Sequence, residues 1–243
     1  MEFKKITERE FATLPNFDVE YEDSAYAGQM SKGAYDILAN ACDDAASGYF
    51  DEMLQDLYLN QALLAREMKA GGAFARIVKR LYEHGVACGD AGCCCNLANI
   101  YHDTSNQGSA EDYACAVELY ELGSDRGDTQ SMINLGYIYY YGRGCEKDYA
   151  RAYECYARAA LTDTNPEAYW KLGDLYASGR GVRKSERIAW QLYSKAYELA
   201  GKSPLAARAA HHMADYLMSG IDGVVRPDPE RALSLYVRAE VGY

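Results

Sequence analysis

Cysteine and histidine are the side chains of this 243-residue chain best equipped for chemistry, with eight of the first and four of the second. Cys93, Cys94 and Cys95 follow soon after His84 and Cys88, and the latter two, four residues apart, share one face of a helix. Together they could offer four ligands across a helix–helix turn, the nitrogen and sulfur set that zinc takes. The spacing argues against it. Adjacent cysteines on a helix point about 100° apart and cannot all face one ion, and no paired Cys-x-x-Cys is present. His211 and His212 also project in different directions from one helix and read as surface groups. Gly201-Lys202-Ser203 looks like the end of a phosphate-binding loop. Ala196 stands where that loop needs its first glycine, a helix precedes it rather than a strand, and Pro204 follows. The expectation is a chain with no metal and no other cofactor.

The elements around these residues repeat. Thr129 to Asn165 holds two helical patterns either side of Gly142-Arg143-Gly144, where the backbone must reverse and positive φ is needed. Ser131, Leu135, Gly136 and Tyr139 share a face of the first helix, and Ala152, Tyr156, Ala159 and Ala160 a face of the second. Such an αα-hairpin is too small to bury its own apolar stripe. Positions matching Leu135 recur at Leu97, Leu172 and Met213, at intervals of 37 to 41 residues. Positions matching Tyr156 recur at Tyr82, Tyr120, Tyr193 and Tyr236, at intervals of 36 to 43. Two anchors drifting together at one period mark a repeat array. A fainter first copy carries Leu54 and Tyr58, giving five hairpins with the outer two least regular, as capping units are. Cys93 then aligns with Ser131, Ala168 and Ala209, a small-residue core position, where cysteine acts as a small hydrophobe.

These residues resemble the Sel-1-like repeat family, relatives of the tetratricopeptide repeats. Ala168, Leu172, Gly173, Tyr176, Gly179, Gly181 and Val182, then Ala189, Tyr193 and Ala196, follow its pattern. Leu135, Gly136, Tyr139, Gly142, Gly144, Asp148, Ala152 and Tyr156 do so in the central copy. The copy at 91–128 lacks the Gly-x-Gly turn and carries Ala98 for the second-helix-facing glycine, and the copy at 204–243 contains an insertion, Gly220 to Val225. The resemblance implies an all-α, right-handed solenoid of antiparallel helix pairs over residues 49–243, with 1–48 a lead-in and a capping helix. A secreted branch of the family staples helix ends with regular cysteine pairs, and includes proteins that bind or hydrolyse penicillins. Here Cys88 and Cys95 have no counterparts in the other copies, and no Ser-x-x-Lys supplies the usual serine nucleophile. Reduced thiols and a non-catalytic role are the expectation.

Composition narrows the partners. A formal charge of −11 disfavours nucleic acid, which needs clustered Lys and Arg, and anionic membranes for the same reason. No apolar run of about 18 residues could span a bilayer. The start, Met1 to Glu8, turns acidic at once and lacks the apolar stretch of a secretory signal, so the expected location is cytoplasmic.

The remaining candidate surface is the side of each first helix opposite its core positions. With Leu135 at 0° and 100° per residue, that side holds Ile133, Asn134, Tyr137, Tyr140 and Tyr141. The matching sets are Trp170, Lys171, Asp174, Ala177 and Ser178; Cys95, Asn96, Asn99, His102 and Asp103; and His211, His212, Asp215, Leu217 and Met218. Stacking would line these into one inner wall. The expected function is an intracellular adaptor or scaffold of bacterial type that grips a basic peptide or helix there. Tyr137, Tyr141 and Trp170 would be its anchors, Asn99, Asn134, Lys171 and His211 polar contacts, and Asp56, Asp103, Asp174 and Asp215 the charges that attract it. Two other readings are an immunity protein that neutralises a basic toxin, and a metal- or cysteine-dependent hydrolase centred on Cys88–Cys95.

Overall fold

The computed structural model describes residues 2–16, 18–60, 72–104, 110–162 and 164–241; the side chains of 103, 104, 110 and 241 are not among those described. It divides into two compact units, the first ending at Asp128 and the second beginning at Thr129. Regular structure among the described residues is helical, and no helix there is long and apolar enough to cross a membrane.

In the first unit a short α1 (Glu8–Phe11) and a 3-10 turn (Tyr21–Asp23) lead to α2 (Lys32–Ser47), α3 (Phe50–Leu59), α4 (Ala73–Cys88), α5 (Ala91–Thr104) and α6 (Ala110–Asp125). The lead-in is pinned by its backbone: Ile6 N–H donates to Nδ1 of His84 at 2.8 Å, and Arg80 donates to the carbonyls of Lys4 and Lys5. α2 buries Ala34, Leu38, Ala41 and Cys42 and packs against α3 and α4. α4 packs on α5 and α5 on α6. The closest approach is at Gly85, where an added Cβ would stand 2.2 Å from the sulfur of Cys93.

The second unit is three hairpins: α7 (Thr129–Tyr141) with α8 (Tyr149–Ala160), α9 (Pro166–Ser178) with α10 (Glu186–Ala200), and α11 (Pro204–Ser219) with α12 (Pro229–Val241). Consecutive helices pack throughout, and α9 also touches α11. The helix ends follow from local chemistry. Asn165 caps α9 by accepting from the Glu167 N–H, with Pro166 at the first helical position. Asp148 and Ser185 cap α8 and α10 in the same way. Gly142, Gly144, Gly179 and Gly181 all sit near φ +70°, which permits the reversal between helices.

The expected core positions Ser131, Leu135, Gly136 and Tyr139 are all buried, and Met132 with them. Tyr156 and Tyr193 are 0 % and 1 % exposed and lie flat against glycine: an added Cβ on Gly136 would meet Cε1 of Tyr156 at 2.5 Å, and one on Gly173 would meet Cε1 of Tyr193 at 2.6 Å. Burying a ring of that size contributes roughly 1.5–3 kcal/mol. Only a residue without a side chain allows the approach.

Candidate functional site

The first-helix faces of the second unit hold most of the expected wall residues, and stacking alters what they present. Trp170 is 9 % exposed and Lys171 3 %, so neither is the open anchor or polar contact that a helical wheel suggests. Ile133, Cys95 and Leu217 are buried as well. The cause is the neighbouring hairpin. Trp170 packs into the same apolar cluster as Ala209, Ala210 and Met213 of α11. His211, its counterpart in the last described hairpin, is exposed.

What remains open is an aromatic and charged strip. Tyr137 and Tyr141, one turn apart on α7, stack at 6.0 Å with an interplanar angle of 7°. Tyr141 is 45 % exposed and meets Tyr140 edge to face at 4.9 Å. Lys171 points into these rings: its Nζ lies 3.9 Å from the Trp170 centroid, 4.9 Å from Tyr137, 5.5 Å from Tyr140 and 5.8 Å from Tyr141. Ring faces attract a partly desolvated ammonium by about 2 kcal/mol or more.

Two of the four carboxylates expected to draw a basic partner, Asp174 and Asp215, are engaged within the protein. Asp174 accepts from the Tyr193 phenol at 2.8 Å, pairs with Lys171 at 3.5 Å and stands 3.6 Å from Nε2 of His212. Asp215 accepts from Tyr236 at 2.6 Å, and that bond pushes the phenol's pKa up to about 12. Tyr137 donates to Glu167. Burial, with these acceptors, raises the pKa of Tyr137 and Tyr193, so both remain neutral donors. His212 stacks on Tyr193 at 4.6 Å, and burial lowers its pKa, against the pull of Asp174 and Asp215.

A rule links three of these bonds. Tyr120, Tyr193 and Tyr236 each donate to the residue two places after the repeat leucine or methionine, namely Asn99, Asp174 and Asp215. The sequence carried that signal in the polar residues at this offset. In the central hairpin the offset is filled by Tyr137, and the Tyr156 hydroxyl, fully buried, has no hydrogen-bond partner among the described residues. The Trp170 Nε1 is likewise buried without one. Asn134 accepts from Gln130 at 3.1 Å. Asn99 belongs to the first unit, and the Asp103 side chain lies outside the described residues.

The cysteine segment disperses. Cys93 is buried under Gly85, with burial pushing its thiol pKa up; Cys94 donates to the Asp90 carbonyl, and Arg126 reaches its sulfur at 3.2 Å. Nδ1 of His84 is taken by Ile6, and Cys88 sits 3.7 Å from its Nε2. All eight cysteines are free thiols, and among the described residues no group of three His, Cys, Asp or Glu side chains is placed to hold a metal ion.

The Sel1 repeat profile matches residues 91–128, 129–161, 166–200 and 207–239, together more than half of the chain. The protein belongs to the Sel1 repeat family. It is 34 % identical over 77 residues (32 % of this chain, 12 % of the other) to a Sel1-like repeat-containing protein of Schizosaccharomyces pombe. It is 30 % identical over 117 residues (48 % of this chain, 17 % of the other) to HRD3B of Arabidopsis thaliana, an ERAD-associated E3 ubiquitin-protein ligase component. The matches therefore span less than a fifth of either curated relative. Among solved structures, a Sel1 repeat protein from Oxalobacter formigenes superposes with a TM-score of 0.61 at 23 % identity, over 92 % of this chain and 78 % of the other. A protective antigen of uropathogenic Escherichia coli with an SLR fold gives 0.60 at 26 % identity, over 81 % and 41 %. These likenesses agree on an all-α fold of the Sel1 solenoid class.

Proposed function

We propose that this chain is a non-catalytic scaffold that holds a segment of a protein partner along its first-helix faces. Proteins built from Sel1 repeats are typically interaction scaffolds, and the HRD3 relatives, as components of a ligase assembly, fit that pattern. The observation that carries the reading is the strip from Tyr141 through Lys171 to His211. Its aromatic and ionic side chains exceed what stacking needs, since the sister positions of Tyr140 and Tyr141 are Ala177 and Ser178. Rigid aromatic groups with an exposed edge are the residues that carry most binding energy at protein interfaces. On this reading Tyr137, Tyr141 and Asn134 form the contact with Lys171 and Trp170 shaping it from beneath. His211 and Asp215 extend it along α11, and Asn99 and Asp103 fill the corresponding sequence positions in the first unit. Residues 1–48 serve as lead-in and cap to a repeat domain over 49–243.

The test leaves the buried residues intact. A photo-crosslinking amino acid placed at Tyr141 or His211 is expected to capture the same protein from native cells, with no capture from Leu161, which is 85 % exposed on the α8–α9 connection. Equal capture from all three positions, or from Leu161 alone, would remove the wall from consideration.

A further inference from the structure

Besides Arg151, which stands over Tyr139, three arginines of the second unit stand near aromatic rings without an ion pair among the described residues. The guanidinium carbon of Arg143 lies 5.4 Å from the Tyr141 centroid, and that of Arg208 lies 5.1 Å from Trp170. Arg180 stands 5.7 Å from Tyr140 and 5.5 Å from Tyr149, and donates to the Tyr140 hydroxyl at 2.8 Å. All three are exposed, and none makes an ion pair among the described residues. The buried Lys171 ammonium lies among the same rings. Four cations thus share one aromatic cluster, while the two carboxylates beside it are occupied: Asp174 by Lys171, Tyr193 and His212, and Glu167 by Tyr137.

In a chain of net charge −11 this is a local inversion of sign. Carboxylates are plentiful, yet among the described residues none forms an ion pair with these arginines; Asp174, near enough to act on Arg180, is itself paired with Lys171. A guanidinium held near ring faces without an ion pair keeps N–H donors for the two oxygens of a carboxylate, and Arg180 commits one of its nitrogens to Tyr140. The ring also fixes a long side chain in advance, which lowers the entropy cost of binding. Arg143 and Arg180 occupy the same place in successive hairpins, the middle of each Gly-x-Gly turn, so their spacing repeats with the hairpins.

We propose that this strip recognises an acidic segment of a partner protein, its carboxylates taken by Arg143, Arg180 and Arg208 and its apolar groups by the open rings of Tyr140 and Tyr141. The inference rests on reading the face as a partner-binding wall and reverses the sign of the partner that the overall charge suggests. A polypeptide fits better than nucleic acid. Three exposed cations neutralise a few carboxylates, whereas the closely spaced phosphates of a nucleic acid need a larger cluster of Lys and Arg.

The test measures fluorescence anisotropy of three labelled probes with the intact protein at low salt: a hexaglutamate peptide ending in tryptophan, its hexalysine counterpart, and a single-stranded hexathymidylate. Saturable binding of the glutamate probe, tighter than either other probe by tenfold or more, is expected. Arg143→Gln with Arg180→Gln and Arg208→Gln should weaken it at least tenfold, with unchanged helicity by circular dichroism. Preferred binding of hexathymidylate, or no loss in the triple variant, would overturn the proposal. Preferred binding of hexalysine that Tyr141→Ala abolishes would overturn it too, while leaving the partner-binding wall standing; absence of binding by any probe would also count against the acidic assignment.

Discussion

The hairpins α7–α8 and α9–α10 share a frame and differ at one telling position. Two residues past the repeat leucine, the second of them has Asp174, which closes the hairpin by accepting from Tyr193 of its own second helix. The first has Tyr137, which packs edge-on to Tyr156 at 6.0 Å and sends its hydroxyl to Glu167 of the next hairpin. One scaffold position therefore serves either to tie a hairpin to itself or to tie it to its successor. Where it does the latter, Tyr156 keeps a buried hydroxyl without a partner among the described residues, and an aromatic surface appears that the other hairpin lacks. The strip proposed to bind a partner thus sits where the array has given up an internal bond.

The comparison can be broken most forcefully at the glycines. Gly136→Val and Gly173→Val each drive a side chain into a buried tyrosine ring, and each is expected to lower stability by about 2 kcal/mol or more; an unshifted denaturation midpoint would contradict the packing of Tyr156 and Tyr193. Next in size, Tyr193→Phe strands the Asp174 carboxylate from its phenol and should cost about 1.5 kcal/mol, measured by urea unfolding. A smaller effect comes from His212. Burial holds its pKa below the ordinary value, so the unfolded chain takes up the proton first, and stability should fall as pH drops through about 6.5 toward the folded value. His212→Gln should flatten that slope, and an identical slope in both proteins would assign it elsewhere. Smallest of all is Tyr156→Phe. Removing a hydroxyl that has no partner should change stability by less than about 0.5 kcal/mol, so a loss matching that of Tyr193→Phe would erase the distinction between the hairpins.

Much of this was legible in the sequence, because it is local. The glycines at φ near +70°, the caps at Asp148 and Asn165, and the core stripe from Ser131 to Tyr139 each depend on a dozen neighbouring residues at most. The wall was harder to read, since a helical wheel sees one helix and the fate of Trp170 is decided by α11. The same offset is buried at Ile133 and exposed at His211, a difference of place in the array rather than of residue chemistry. The arginine seats were missed for a related reason. Arg143 and Arg180 are visible in both Gly-x-Gly turns, but only the fold brings aromatic rings near them.

Each unit also carries buried thiols of its own. Cys42, Cys93, Cys94 and Cys95 are enclosed in the first and Cys155 in the second, while Cys88 and Cys145 face solvent. An alkylating reagent would mark the outer two at once and reach the inner ones only when their unit opens. Each half therefore comes supplied with internal clocks by which its breathing can be timed without altering a residue.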